Sequence, residues 1–470
     1  MDELFRLRAI DLVRGVRERR FSCADVVSAS LARIGRLDDR YQAFLTVAAE
    51  SALRRAAQAD RAIARGEAVG SLLGLPVALK DLVDTEGIRT TYGSALFRDH
   101  VPDADDIVAA RLKSAGAIIV GKTNTPEFGY GAITDNELRG PTRNPYDPLR
   151  TSGGSSGGSA VAVCLGMVPV AHGTDFAGSV RFPASFCALV GLRPTIGRIP
   201  TFPKLPLWQN LIAHGVFART VEDAALVLTA LAGRDDRDPI SHGEASWRSP
   251  DFPAAGERDL RIAVSADLGF ALVDGAVRRL FDRAVEQIGR IFPKAAPVDL
   301  SLGEVKGAFE ALRGALLLDQ FGPMVAEHGE RLSETLRWNV ERGRDLSAAD
   351  LYAAERARSR IYLELLSLLD RHDILVTISA PVPPFPNADR NVLSIGGKPL
   401  RHMIDWFGIA TPVTVTGLPA LSIPCGWTDD GLPVGLQLIA RPYAEADLLL
   451  CAYRLQEELG FRHRWPAVEP

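Results

Sequence analysis

Ser179 stands in a sequence context that is typical of a nucleophile. It follows the run GTDFAG at residues 173–178, which comes directly after the apolar run 168–171, and Pro183 is well placed to open a helix. A serine at such a strand-to-helix turn, preceded by small residues, lets successive backbone N–H groups point at one oxyanion. Acyl transfer requires that arrangement, although an ordinary glycine-containing turn would have the same composition.

Lys80 is a candidate base. It ends the wholly apolar segment LPVAL at residues 75–79, which is predicted to be a strand. Desolvation penalises the ammonium form, so a lysine in an apolar pocket loses its proton readily and can then accept another. Most lysines at strand ends are solvated, so Lys80 alone does not identify a site.

Ser155 lies in the run TSGGSSGGSA at residues 151–160, which has three interpretations. It could be a flexible linker, but it leads directly into an apolar helical segment instead of joining two domains. It could cradle a phosphate, but the lysine that follows the glycines of a phosphate-binding loop is absent. It could also be a rigid loop, in which glycines permit unusual backbone angles and hold one hydroxyl at a fixed point.

The elements that must position these side chains follow an α/β pattern. Residues 1–70 are predicted to be helical, because apolar residues recur at a spacing of three to four. From residue 74 onwards, short β-branched runs alternate with helical segments, which indicates a sheet of buried strands. Residues 303–372 are predicted to form long helices with one solvated face. Strands are predicted at 75–79, 117–120, 168–171, 262–264, 374–378, 420–424 and 434–439, and helices at 106–114, 159–165, 221–232, 275–291 and 348–369.

The composition is that of an ordinary globular protein. The 470 residues are 47% hydrophobic and 24% charged, and the net charge of −4 indicates no affinity for nucleic acid or anionic membranes. No apolar run reaches the roughly 20 residues that a membrane span needs. The five cysteines are odd in number and widely spaced, and there is no secretory leader, so we expect a cytoplasmic location.

Taken in this order, the three stretches closely resemble the amidase signature family. The intervals from Lys80 to Ser155 and from Ser155 to Ser179 match the spacing in that family, and so do the segments GLPALSIPCG (417–426) and DGLPVGLQLI (430–439). The resemblance implies an α/β/α fold with a large mixed β-sheet core flanked by helices. It also implies one domain over residues 1–470, with residues 1–70 as a helical arm and the helical segment 303–372 shaping the substrate side.

The resemblance further implies a Ser–cisSer–Lys triad that needs no metal or organic cofactor. Ser179 would be the nucleophile, Ser155 the relay with a cis Gly154–Ser155 peptide, and Lys80 the base. The implied reaction is hydrolysis of a linear carboxamide to a carboxylic acid and ammonia or an amine, through an acyl-enzyme on Ser179. The backbone N–H groups that would meet the oxyanion are those of Phe176, Ala177, Gly178 and Ser179.

Three positions depart from the family's pattern. Ala177 stands where a glycine is common, and activity is in question only if that position needs a positive φ. Ser152 stands where proline is frequent, and Phe176 places an aromatic ring at the edge of the oxyanion site. We interpret all three as variation within the family.

Three other functions compete with this hypothesis. A Ser-His-Asp hydrolase would use His172 or His214, but neither serine lies in a G-x-S-x-G elbow. The amidase subunit of a tRNA-dependent amidotransferase, working with a partner subunit, is disfavoured by the mildly acidic charge and the lack of a basic tail. A non-catalytic binding protein of the same family would not need all three triad positions filled.

The expected partner is a small-molecule amide, with no nucleic acid, no membrane and a possible homodimer. Pocket walls are expected from residues 128–136, 201–212 and parts of 303–410. Their apolar and aromatic content favours an aryl or aliphatic amide over a charged one. The residues behind this preference are Phe128, Tyr130, Leu207, Trp208, Trp406 and Phe407.

Overall fold

An eleven-stranded mixed sheet forms the centre of the fold. The computed structural model describes residues 3–67, 70–243, 248–250, 252 and 259–468. The strands are β1 (Phe44–Val47), β2 (Pro76–Lys80), β3 (Ile118–Thr123), β4 (Val170–Asp175), β5 (Val190–Arg193), β6 (Ala213–Ala218), β7 (Ile262–Val264), β8 (Ala296–Pro297), β9 (Ile374–Ile378), β10 (Ser394–Ile395), β11 (Lys398–Pro399), β12 (Ala420–Trp427) and β13 (Pro433–Ala440). Their order in the large sheet is β1-β3-β2-β4-β6-β5-β12-β13-β9-β7-β8, and β10 and β11 form a separate hairpin.

Helices flank the sheet, as the sequence predicts. They are α1 (Ala9–Arg17), α2 (Cys23–Tyr41), α3 (Ala49–Ala64), α4 (Ile107–Ser114), α5 (Gly157–Cys164), α6 (Arg181–Phe186), α7 (Val221–Leu231), α8 (Gly275–Ile291), α9 (Val305–His328), α10 (Glu334–Glu341), α11 (Ala348–Arg371), α12 (Thr411–Thr416) and α13 (Glu445–Glu458). Among them, α6 and α13 pack on β12 and β13, and α5 packs on β2 and β4. The predicted α/β fold with a large mixed sheet is therefore confirmed.

The N-terminal segment differs from its prediction. It is helical in α1, α2 and α3, but Phe44–Val47 forms β1 and pairs antiparallel with β3 at the edge of the sheet. A run of four residues is too short to show a helical or strand period, so its pairing partner decides its conformation. The segment 303–372 forms α9, α10 and α11, and α9 packs against the other two.

The order of the strands brings two chemically important chain segments together. Strand β2 is parallel to both β3 and β4, with Ala78 opposite Ala171 of β4. Parallel neighbours end at the same edge of a sheet, so Lys80 at the end of β2 lies beside the end of β4. Because Ser179 follows β4 by a few residues, this edge is where the candidate side chains meet.

Within the described parts of the chain, no helix has the length and the apolar content that crossing a membrane would require.

Candidate active site

Lys80 and Ser155 are in direct contact. The Lys80 side-chain nitrogen Nζ lies 2.6 Å from Ser155 Oγ and 2.9 Å from Thr174 Oγ1. All five residues of β2 are buried, so Lys80 has no access to solvent. The Gly154–Ser155 peptide bond is cis, as the family resemblance implies.

Burial controls the protonation of Lys80. It lowers the pKa of the Lys80 side chain well below the ordinary value of 10.5, and the charge of Asp175 opposes that shift. Within the described residues, no carboxylate lies within ion-pair distance of Lys80 Nζ. The two hydroxyls that contact it can stabilise the neutral amine as hydrogen-bond donors, so the site suits a base more than a cation.

The glycine- and serine-rich run is a rigid loop in this structure. Residues 151–160 are all buried, which excludes the flexible-linker interpretation. Thr134 Oγ1 donates to the carbonyl of Gly153 and accepts from the N–H of Gly157, both at 2.9 Å. The Ser156 hydroxyl bonds the backbone of Thr174 in β4 at 3.2 Å. The loop is therefore fixed to its surroundings on both sides of Ser155.

Ser179 lies in the turn between β4 and α6 and is 9% exposed. Asp175 holds this turn, because its carboxylate accepts from the N–H groups of Gly178 at 3.0 Å and Val180 at 3.1 Å. The left-handed backbone falls on Gly178, with φ of +93°, while Ala177 has no positive φ. The departure at Ala177 is thus sterically harmless, since only the position that needs a glycine has one.

The backbone donors of the turn are only partly as expected. Among the described residues, no protein acceptor lies within hydrogen-bond distance of the N–H groups of Phe176, Ala177 and Ser179. The Gly178 N–H, in contrast, is engaged by Asp175 Oδ1. The expectation for Gly178 is corrected accordingly: its N–H stabilises the turn, and three donors remain for an oxyanion.

No hydrogen bond joins the hydroxyls of Ser155 and Ser179 in the described structure. A β-carbon built on Gly129 would lie 3.7 Å from Ser155 Oγ and 3.8 Å from Lys80 Nζ, and Gly129 lines the same cavity as Ser179. Catalytic hydrogen bonds are often long before the substrate binds. The three predicted residues therefore surround one small space, with Lys80 and Ser155 already joined.

Asp175 is also the centre of a buried ionic cluster that the sequence does not reveal. Its oxygen Oδ1 lies 2.8 Å from Arg181 Nη2 and 3.5 Å from Arg193 Nη1, and all three side chains are fully buried. Burial alone would raise the pKa of Asp175, but the two guanidinium groups lower it below its usual range. The nucleophile turn is thus fixed to α6 and β5 by charge-assisted bonds.

We expect Asp175→Asn to destabilise the protein by about 3–5 kcal/mol, because two buried guanidinium groups lose their counter-ion. The midpoint of urea unfolding, followed by tryptophan fluorescence, measures the change. Asp282→Asn is the matched control, since its pair with Arg278 at 2.9 Å is exposed and is worth at most about 1 kcal/mol. Equal shifts in the two variants would contradict a special role for the Asp175 cluster.

A narrow cavity of about 30 Å³ opens at Ser179. Its walls are largely aromatic and include one cation; they contain Tyr130, Phe176, Phe182, Arg313, Trp406 and Phe407. Tyr130, Trp406 and Phe407 were expected there, whereas Trp208 is 71% exposed and does not line the cavity. The charged residue was not expected from the sequence.

The histidines do not form a catalytic pair with either serine. His172 Nε2 lies 2.9 Å from His214 Nδ1, and no hydrogen bond joins either ring to the serines within the described chain. Burial, the neighbouring His214 and Lys80 lower the pKa of His172 well below 6.5, and burial lowers the pKa of His214 to about 4. Both rings are therefore neutral at neutral pH.

Curated relatives with similar sequences share one name. The chain is 35% identical to a glutamyl-tRNA(Gln) amidotransferase subunit from Moorella thermoacetica (strain ATCC 39073 / JCM 9320), over 99% of this chain and 99% of the relative. It is 37% identical to the protein of the same name from Anaeromyxobacter sp. (strain K), over 97% of each chain.

These relatives contradict the expectation that the protein has no nucleic-acid partner. Their shared name contains a tRNA and the word subunit, which indicates an assembly and a nucleic acid for those proteins. The expectation came from the net charge of −4, which describes the whole surface. A local surface or a partner chain can bind nucleic acid whatever that sum is, so the prediction is wrong.

Solved structures give the same family. A bacterial aryl acylamidase of the amidase signature family superimposes with a TM-score of 0.90 at 27% identity, over 99% of each chain. The glutamyl-tRNA(Gln) amidotransferase subunit of the same name from Thermotoga maritima superimposes with a TM-score of 0.78 at 29% identity, over 99% of each chain. The sequence model of the family described as Amidase matches residues 25–449. The chain therefore belongs to the amidase signature family.

Proposed function

We propose that this protein cleaves the C–N bond of a linear carboxamide, with Ser179 as nucleophile, Ser155 as relay and Lys80 as base. The observation that carries the proposal is the 2.6 Å contact between a buried lysine and Ser155, on the edge of the cavity that holds Ser179. Neither histidine occupies a comparable position. Serine hydrolysis without histidine needs a base of this kind.

The proposed reaction follows from the protonation states of these groups. Neutral Lys80 takes the Ser155 proton while Ser155 takes the proton of Ser179, whose Oγ attacks the amide carbon. The N–H groups of Phe176, Ala177 and Ser179 stabilise the tetrahedral oxyanion. The proton returns through Ser155 to the nitrogen, the C–N bond breaks, and ammonia or an amine leaves. Water then hydrolyses the acyl-enzyme by the same relay and releases the carboxylic acid.

Within that chemistry, the first candidate role is the amidase subunit of a tRNA-dependent amidotransferase. Sequence identities of 35–37% to proteins of that name, over nearly the whole of both chains, support it. A transferase that amidates an aminoacyl-tRNA needs ammonia from a donor carboxamide, and an amidase site releases ammonia. The tRNA and the acceptor chemistry would then belong to the assembly with a partner subunit.

A free-standing amidase is the second candidate role. It is favoured by the higher TM-score with the bacterial aryl acylamidase, 0.90 against 0.78 for the Thermotoga maritima protein. A protein in this role completes its reaction without a second chain, so its purified form would be fully active.

We expect a fluorophosphonate probe to label the purified protein at one serine, Ser179, because the relay makes that hydroxyl nucleophilic. Mass spectrometry of the labelled peptide locates the modification, and ammonia release from a panel of carboxamides measures turnover. Absence of both labelling and turnover would rule out the proposed hydrolysis.

Affinity purification from the native cells distinguishes the two roles. The role in an amidotransferase predicts that a second chain co-purifies and that the complex amidates glutamyl-tRNA. The free-standing role predicts a single chain with the same amidase rate before and after any partner is removed.

A further inference from the structure

Arg313 is a buried cation on the wall of the cavity that holds Ser179. It lies in α9 and is 5% exposed. Its Nη1 donates to Asn339 Oδ1 of α10, and its guanidinium carbon lies 5.9 Å from the centre of the Phe176 ring. Within the described residues, no carboxylate lies within 4 Å of its nitrogens. The guanidinium thus has one polar partner, which is neutral, although it has five N–H donors.

Other buried arginines of this protein are satisfied differently. Arg181 and Arg193 share the carboxylate of Asp175. Arg219 donates to backbone carbonyls, including that of Leu7. A buried charge without such partners is costly, so the exception at Arg313 calls for a ligand.

The acidic residue nearest to Arg313 in sequence is already engaged. Glu310, one helical turn earlier, lies 2.9 Å from Arg342 and 3.4 Å from His402. Burial lowers the pKa of Arg313 only to about 10, so the guanidinium remains charged at neutral pH. Among the described residues that line the cavity, Arg313 is the only one that carries a charge.

We propose that Arg313 binds a carboxylate of the substrate, so that the amide cleaved at Ser179 belongs to a molecule whose acyl part is also an anion. The monoamide of a short dicarboxylic acid has this chemistry. A planar guanidinium matches a carboxylate with two parallel hydrogen bonds, and the aromatic walls enclose the carbon chain between the two ends. The proposal rests on the proposed amidase function and names its substrate class, in place of the neutral aryl or aliphatic amide that the sequence favours.

Turnover of matched substrates tests this specificity. Malonamate, succinamate and glutaramate are compared with their methyl esters, which keep the amide and lack the charge. We expect the best of the three anions to exceed its ester in kcat/KM by at least about 30-fold, the ratio that corresponds to a buried charge pair. Ester and anion of equal kcat/KM in the wild-type protein would overturn the proposal.

Two variants separate charge recognition from a structural role of Arg313. Arg313→Met removes the cation, and Asn339→Asp supplies an internal carboxylate that competes with the substrate. Both should abolish the preference for the anion and leave kcat/KM for the ester within a few-fold. Arg342→Met is the matched control, because it removes a cation of the same helical layer that does not line the cavity. If Arg313→Met lowers both substrates equally, Arg313 only supports the Phe176 ring, and the proposal is wrong.

Binding without turnover keeps this test independent of the proposed function. Calorimetry on the Ser179→Ala variant with malonate, succinate and glutarate measures the anion site alone. We expect at least one to bind, and affinity to fall by about 30-fold or more when Arg313→Met is added. Binding without any hydrolysis by the wild-type protein would refute the amidase function and keep the anion site. Hydrolysis of neutral amides without dicarboxylate binding would do the reverse.

Discussion

Ser179→Ala abolishes turnover and leaves the fold intact, if Ser179 is the nucleophile. We expect kcat to fall by four or more powers of ten, since loss of the nucleophile in covalent hydrolases costs on the order of 10⁶-fold. The hydroxyl makes no hydrogen bond within the described structure, so its removal leaves no buried group without a partner. Ammonia release with the best substrate of the panel measures the effect, and circular dichroism verifies the fold.

Ser185→Ala is the matched control for this experiment. Ser185 lies in α6, is buried and has no part in the proposed relay. It loses the same atom a few residues from Ser179 and should keep nearly all activity and all fluorophosphonate labelling. A Ser179→Ala protein of verified mass that retained a tenth of wild-type activity would assign the nucleophile to another residue.

The parts of the site that the sequence predicts are those with a local signal. Lys80 closes an apolar run, and in the structure it ends the buried strand β2. Ser179 follows such a run too, and it lies in the turn after β4. In both cases the burial of the preceding strand is visible in the sequence itself, because a strand buried on both faces is apolar throughout.

Other parts of the site depend on contacts between distant segments. Asp175 meets Arg193 because β4 and β5 both pair with β6, and nothing in the sequence near Asp175 indicates that pairing. Arg313 lies in a long amphipathic helix, where the expected position of an arginine is the solvated face. Only the packing of α9 over the cavity shows that this residue is buried.

The oxyanion donors fall between these cases. The sequence locates the turn at residues 176–179, but it cannot say which N–H groups are free. That depends on the side chain of Asp175, which occupies the N–H of Gly178. The short strands β1 and β5 were missed for a similar reason, since four residues carry too little periodicity to be recognised.

Lys80→Met removes most activity and the ascending limb of the pH profile. In the wild-type protein, burial lowers the pKa of Lys80 well below 10.5. The base must be neutral, so kcat/KM should be low below the folded pKa of Lys80, rise through it, and stay high on its alkaline side. Loss of a general base costs about 10²–10⁴-fold, and methionine keeps the length and apolar character of the chain. Initial rates from about pH 5 to 10 measure both effects.

Histidine variants complete this argument, because a histidine base also gives activity that rises with pH. His172→Gln and His214→Gln should keep the ascending limb at the same pH, since neither ring contacts the relay within the described structure. Lys80→Arg should be as inactive as Lys80→Met, because a guanidinium is not deprotonated at these pH values. Thr174→Val should shift the limb without removing activity, as it deletes only the 2.9 Å contact to Lys80 Nζ. Loss of activity in His172→Gln, with activity retained in Lys80→Met, would exclude lysine as the base of this hydrolase.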